Sequence, residues 1–239
     1  LDPFLMLDHF GSDRPEDYLP GFPMHPHRGI ETVTYMLDGY VDHKDSLGNH
    51  GTIGPGDVQW MTAGSGILHE EMPRKAKGWM QGFQLWVNLP KSSKMMPPRY
   101  RDIKKEDLPV FDLRNGSSIK VIAGESQGLV GPVKDLVVDV KYLDVSLSSR
   151  TVLEHEIPLD RNAFVFVYEG EMLLGGNDAR TVTAGSVAVL GEGDTLRFTV
   201  GRRPVRFMFA SAKPLREPIA WGGPIVMNTR RSWTWRSQN

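Results

Sequence analysis

Short runs of β-branched and aromatic residues, each closed by glycine or proline, recur along the whole chain and restrict it to a fold of many short strands. Glu31-Thr32-Val33-Thr34-Tyr35-Met36-Leu37, Gln84-Leu85-Trp86-Val87-Asn88-Leu89 and Ala163-Phe164-Val165-Phe166-Val167-Tyr168 are examples. With 25 glycines and 17 prolines in 239 residues, turn signals fall too often for long helices. The pattern predicts an all-β sandwich or barrel. The best helical candidate is a single turn over Asp102-Ile103-Lys104-Lys105-Glu106-Asp107-Leu108.

The runs also repeat. Tyr35-Met36-Leu37-Asp38-Gly39, followed by Gly54-Pro55-Gly56-Asp57-Val58, has a counterpart in Val167-Tyr168-Glu169-Gly170, followed by Ala184-Gly185-Ser186-Val187. In each, an acidic residue and a glycine end one strand, and a glycine turn opens the next after a similar gap. This reads as two copies of one barrel unit. The Pro-rich, charged stretch from Met95-Met96-Pro97-Pro98-Arg99 to Asp107-Leu108-Pro109 separates them. The expected units are residues 1–105 and 106–239, with the boundary falling somewhere between 90 and 120.

A net charge of -1 leaves no electrostatic footprint for nucleic acid. The basic-aromatic Arg230-Arg231-Ser232-Trp233-Thr234-Trp235-Arg236 is expected to pack on a barrel. The chain has no cysteine, so neither disulfides nor thiolate ligands are available, as fits an intracellular protein. No apolar run approaches the roughly 20 residues needed to cross a bilayer.

Against this background, two segments carry chemistry. His25-Pro26-His27 and His69-Glu70-Glu71 lie in strand patterns. Alternation puts His25 and His27 on one face of a strand, and His69 and Glu71 on one face of another. If the two strands face each other across a barrel, three imidazoles and a carboxylate converge. That set suits a divalent transition metal such as iron, with positions left open for substrate. Spacing alone leaves Glu70 as a competitor, and alternation favours Glu71 if His69 points inward. Glu31 fits two roles, orienting an imidazole from behind or pairing with an arginine at the rim. Asp38 reads as a turn residue, and His9, His43 and His50 as ordinary surface or loop histidines. In the second half, His155-Glu156 aligns near His25 and Pro158 with His27, while Leu196-Arg197-Phe198 occupies the place of His69. The second unit is therefore expected to hold no metal, with His155 at the surface.

The order of these motifs resembles the two motifs of the cupins, and the resemblance extends further. His25-Pro26-His27-Arg28-Gly29-Ile30-Glu31-Thr32-Val33, the block from Gly56-Asp57-Val58 through Met61-Thr62-Ala63-Gly64 to His69, and Leu1-Asp2-Pro3-Phe4 are similar to signature blocks of the pirin family. So are Leu85-Trp86-Val87-Asn88-Leu89, Ala188-Val189-Leu190-Gly191-Glu192-Gly193-Asp194 and Pro214-Leu215-Arg216-Glu217-Pro218. The resemblance implies a bicupin with one Fe(2+) per chain in the N-terminal barrel, held by His25, His27, His69 and Glu71. Manganese, nickel, copper or zinc would also accept these ligands. It further implies strands preceding Leu1 and an acidic helical segment after Thr229, where this sequence is basic.

The resemblance also implies a function. Family members cleave flavonols such as quercetin with dioxygen, releasing carbon monoxide. Here Glu71 is the expected base for the substrate 3-hydroxyl, and Phe22, Met24, Trp60, Met61, Phe83 and Trp86 the expected pocket wall. The alternative is a redox-sensing regulator whose iron acts as a switch for a transcription factor or a metabolic enzyme. A monomer without direct nucleic-acid or membrane contact is expected, in the cytoplasm and, in a eukaryote, also the nucleus.

Overall fold

The computed structural model describes residues 1–75, 78–113 and 115–233. The chain divides into two compact units, Leu1–Lys105 with Leu215–Asn239, and Glu106–Pro214. Almost every regular element is a strand, and no helix among the described residues is long and apolar enough to cross a membrane.

The first unit contains β1 (Phe4–Ser12), β2 (Phe22–His27), β3 (Ile30–Asp38), β4 (Val41–Asp45), β5 (His50–Ile53), β6 (Val58–Thr62), β7 (Ile67–Pro73), β8 (Met80–Asn88) and β9 (Arg99–Ile103). They form two sheets, in the orders β1-β8-β3-β6-β9 and β2-β7-β4-β5. The expected helical turn appears as a 3-10 turn over Lys105–Asp107.

The second unit contains β10 (Val110–Asp112), β11 (Ser118–Ala123), β12 (Glu125–Ser126), β13 (Leu129–Val130), β14 (Val140–Leu147), β15 (Val152–Glu156), β16 (Asn162–Glu169), β17 (Glu171–Leu174), β18 (Arg180–Thr183), β19 (Ser186–Val189), β20 (Thr195–Val200) and β21 (Val205–Ala212). Its sheets run β10-β11-β14-β21-β16-β19 and β15-β20-β17-β18. The order β14-β21-β16-β19 reproduces β1-β8-β3-β6, and β15-β20-β17-β18 reproduces β2-β7-β4-β5. The repeat seen in the sequence is thus one topology used twice. Gly39 and Gly170 follow equivalent strands, both with positive φ.

Each barrel owes its stability to alternation. In the second unit Val165, Val167, Phe207, Phe209, Phe198 and Leu196 point into one buried cluster. Each such side chain contributes roughly 1.5–3 kcal/mol relative to exposure. In the first unit Ile30, Met61, Ala63, Ile67 and Trp86 pack with Val226.

Val226 marks a departure from the expected division at 106–239. It lies in β23 (Ile225–Met227), which pairs with β22 (Ala220–Gly222). Ile225 bridges to Arg28, and Trp221 lies against Trp86, 6.2 Å between ring centres. The buried Lys94 locks this return in place. Its Nζ donates to Asn88 Oδ1 (2.7 Å), Val226 O (2.8 Å) and Gly29 O (2.9 Å). Gly29 has φ +76, and a Cβ there would overlap the Val226 carbonyl, so only glycine fits the turn from β2 to β3. Trp233 Nε1 donates to Ala220 O (2.8 Å), so this tail residue packs on the first unit. Thr234, Trp235 and Arg236 lie outside the described residues.

Candidate metal centre

β2 and β7 are hydrogen-bonded neighbours within one sheet, with His25 paired to His69 and His27 to Ile67. This corrects the expectation of two strands opposed across a barrel. The three histidines meet because adjacent and diagonal side chains on one face of a sheet are natural contacts. The potential ligand atoms of His25, His27 and His69 all lie within 4.8 Å of one another. His27 and His69 are fully buried, while His25 is partly open.

Hydrogen bonds fix the rings. His25 Nδ1 faces the Pro23 carbonyl (2.9 Å), which only accepts, so this nitrogen carries the proton and Nε2 is a lone pair. His25 Nε2 sits 3.1 Å from His27 Nε2. Two ring nitrogens at that separation could share one metal ion. His69 Nε2 is buried and meets no hydrogen-bond partner among the described residues, while the Pro224 backbone lies against the His27 ring. Burial, reinforced by the neighbouring imidazoles, lowers the pKa of His27 to about 4 and that of His69 to about 2. Both rings are neutral at physiological pH, the state a metal ligand requires. The donor set therefore fits a divalent metal ion.

Glu71 points inward from β7 two residues after His69, while Glu70 lies on the opposite parity. The Glu71 carboxylate stands outside the histidine group proper. It accepts hydrogen bonds from Thr34 Oγ1 (3.3 Å) and Gln84 Nε2 (3.0 Å). Burial raises its pKa, against the Gln84 donor, the nearby rings of His43 and His25, and the Thr34 donor.

Glu71, Thr34 and Gln84 line one side of a cavity of about 260 Å³, whose other walls include Phe10, Tyr18, Phe22, Val41 and Met80. Of the six residues expected as pocket wall, Phe22 alone lines this cavity. Trp60, Met61 and Phe83 are fully buried core, and Met24 is largely exposed. Trp86 instead packs edge-on against His27 at 5.0 Å. Phe10 and Met80 belong to the wall through the alternation of β1 and β8, a signal the sequence did carry.

Glu31 does not stand behind an imidazole, and the charges of Arg101 and Arg99 act on its carboxylate from nearby. It is buried, and its Oε1 accepts from Thr62 Oγ1 (2.6 Å). Thr34, three residues on, has the opposite parity and reaches Glu71, so Glu31 faces away from the histidines. The turn at Gly29 resets the alternation between His27 and Glu31. Asp38 is a turn residue, its Oδ1 accepting from Gly39 N (2.8 Å). His9 and His50 are exposed.

His43, expected at the surface, is buried beside the triad. Its ring stacks on Tyr100 at 4.3 Å and lies 5.3 Å from the ring of His69. The charged Asp42 and Lys44 hid it, because they occupy the outer face of a strand whose inner face carries Val41, His43 and Asp45.

His155 is also buried rather than exposed. Its ring stands edge-on to Phe209 at 4.9 Å, and burial, then the charge of Lys141, lowers its pKa to about 4. It sits on β15, the counterpart of β2, but its partner across the sheet is Leu196. Among the described residues His25, His27 and His69 are the one group able to hold a metal.

Known proteins share this architecture. The family model described as Pirin matches residues 1–87, and that described as Pirin C-terminal cupin domain matches residues 142–232. A pirin-like protein of Caulobacter vibrioides is 48% identical over 231 residues, spanning 96% of this chain and 82% of that protein. Pirin of Rattus norvegicus is 42% identical over 233 residues, spanning 96% and 77%. The crystal structure of quercetin 2,3-dioxygenase from Acinetobacter baumannii is 38% identical with a TM-score of 0.87, spanning 96% of this chain and 81% of that one. The chain is a member of the pirin family, built from two cupin domains.

Proposed function

We propose that this protein is an iron-dependent flavonol 2,3-dioxygenase, with His25, His27, His69 and Glu71 holding one Fe(2+). The observation that carries the reading is the double position of Glu71. It shares the inner face of β7 with His69, and it also lines the apolar cavity. The name of the Acinetobacter baumannii relative supports the same substrate class.

Iron(II) supplies Lewis acidity toward a substrate oxygen and one-electron redox chemistry toward dioxygen. The chain's own residues do the rest. Phe10, Tyr18, Phe22 and Met80 form an apolar wall suited to flat aromatic rings and exclude water from them. Glu71, with its raised pKa, takes the proton of the flavonol 3-hydroxyl. Thr34 and Gln84 each hold one of its oxygens, so the carboxylate is already oriented when substrate arrives.

The test is oxygen consumption on adding quercetin to the iron-loaded protein. Uptake matched by loss of flavonol, and abolished in His69→Ala that remains folded, supports the enzyme. Full iron occupancy without uptake overturns the enzyme and favours a regulator.

A further inference from the structure

We propose that His43 and Asp45 are positioning residues that set the proton on His69 and so leave its Nε2 free for the metal. The inference deepens the reading that the histidine triad holds a metal ion, and rests on it.

Alternation in β4 puts His43 and Asp45 on the same inner face, and β4 pairs with β7 so that Asp45 stands opposite His69 and His43 opposite Glu71. His43 is thus the diagonal neighbour of His69. Two contacts join the three side chains in series. Asp45 Oδ2 lies 3.3 Å from His43 Nε2, and His43 Nδ1 lies 3.4 Å from His69 Nδ1. The His43 and Asp45 side chains are wholly covered.

Proton logic then runs in one direction. Asp45 Oδ1 accepts from Leu47 N (2.9 Å) and Asn49 N (3.0 Å), and Oδ2 accepts from Asn49 Nδ2 (2.8 Å). Three N–H donors converge on its two oxygens, so the carboxylate acts as an acceptor at both. An ionised carboxylate only accepts, so His43 Nε2 carries the proton. In the tautomer with its proton on Nε2, His43 Nδ1 is an acceptor. His69 Nδ1 must then donate to it, and His69 Nε2 becomes the lone pair. That is the nitrogen left buried without a partner among the described residues. Tyr100 stacks on the His43 ring at an interplanar angle of 19° and holds its plane. A carboxylate orienting a metal-bound histidine is a common arrangement. Here a second histidine is interposed.

The decisive variant is Asp45→Asn. It keeps Oδ1 for the two backbone N–H groups, but its amide can donate to His43 Nε2. The relay then runs backwards and puts the proton on His69 Nε2. Two measurements apply. Long-range 1H–15N spectra of the metal-free wild type should show His69 protonated at Nδ1, and Asp45→Asn should move that proton to Nε2. Anaerobic titration with ferrous ion against a chelator should show about 10- to 100-fold weaker binding in Asp45→Asn. A wild-type His69 protonated at Nε2 overturns the relay, as does a folded Asp45→Asn that binds ferrous ion within about threefold of wild type. Wild type that binds no ferrous ion would overturn the metal reading itself, while the spectra still decide the tautomer. Should Asp45→Asn fail to fold, the wild-type spectra and ferrous titration of His43→Asn apply the same criteria.

Discussion

His25 Nε2 lies 3.1 Å from His27 Nε2, a separation at which one ion could join the two nitrogens. Without an ion the arrangement is costly, because His27 is a buried polar ring whose metal-facing nitrogen then meets only another imidazole nitrogen. Leaving such a group unsatisfied costs about 1–3 kcal/mol. Replacing His27 with leucine removes that penalty. Metal-free His27→Leu is expected to be more stable than metal-free wild type by about 1 kcal/mol in urea unfolding, while losing metal binding. Clear destabilisation would show that the histidine cluster contributes to folding in its own right.

Glu71 and Thr34 give a kinetic prediction. Glu71→Gln keeps the shape but loses both the proton acceptor and a charged group proposed to hold the iron, and turnover at equal iron occupancy is expected to fall by about 10²- to 10⁴-fold. Thr34→Val removes the donor to Oε1 and thus one of the influences holding the Glu71 pKa down. The acid limb of the pH–rate profile should therefore move to higher pH, with little change at the plateau. An unmoved limb would assign the base elsewhere.

Lys94 gives a stability prediction. Lys94→Met keeps much of the apolar stem but takes a buried donor away from Asn88 Oδ1, Val226 O and Gly29 O, the last of which still accepts from Leu89 N. The expected loss is about 2–4 kcal/mol in chemical unfolding. Backbone amide exchange should also quicken in β23 and in the turn at Gly29, which the ammonium joins. Unchanged exchange at both places would mean the lysine is not what holds the returning segment.

His155 gives a pH dependence free of the metal site. Its pKa is about 4 in the folded chain, against 6.5 for an unperturbed histidine. As pH falls from 6.5 toward 4 the unfolded chain gains a proton that the folded chain refuses, so folding weakens. Relative to His155→Gln, wild type should lose up to about 1.4 kcal/mol per pH unit across that window and nothing further below it. The two should track each other above pH 6.5. Parallel curves from pH 4 to 7 would mean that the folded protein protonates His155 freely.

Much of this was legible from local pattern. The repeat Asp38-Gly39 and Glu169-Gly170 announced two units, and period-two alternation gathered His25, His27 and His69 before any pairing was known. What the sequence hid was nonlocal. That β2 and β7 are sheet neighbours follows from pairing, which no short window contains. Positive φ at Gly29 breaks the strand and turns Glu31 to the other face. His43 was masked by the charges of Asp42 and Lys44 on the solvent side of the same strand. The segment around Val226 returns to the first unit because a buried lysine 132 residues earlier in sequence holds its carbonyl.

The most direct test of the account is metal stoichiometry, by elemental analysis of protein loaded anaerobically with ferrous ion and freed of excess. The account predicts one iron per chain in wild type and essentially none in folded His25→Ala, His27→Ala and His69→Ala. Iron retained at one per chain in all three variants would contradict it, because the ion would then be held by groups other than these imidazoles.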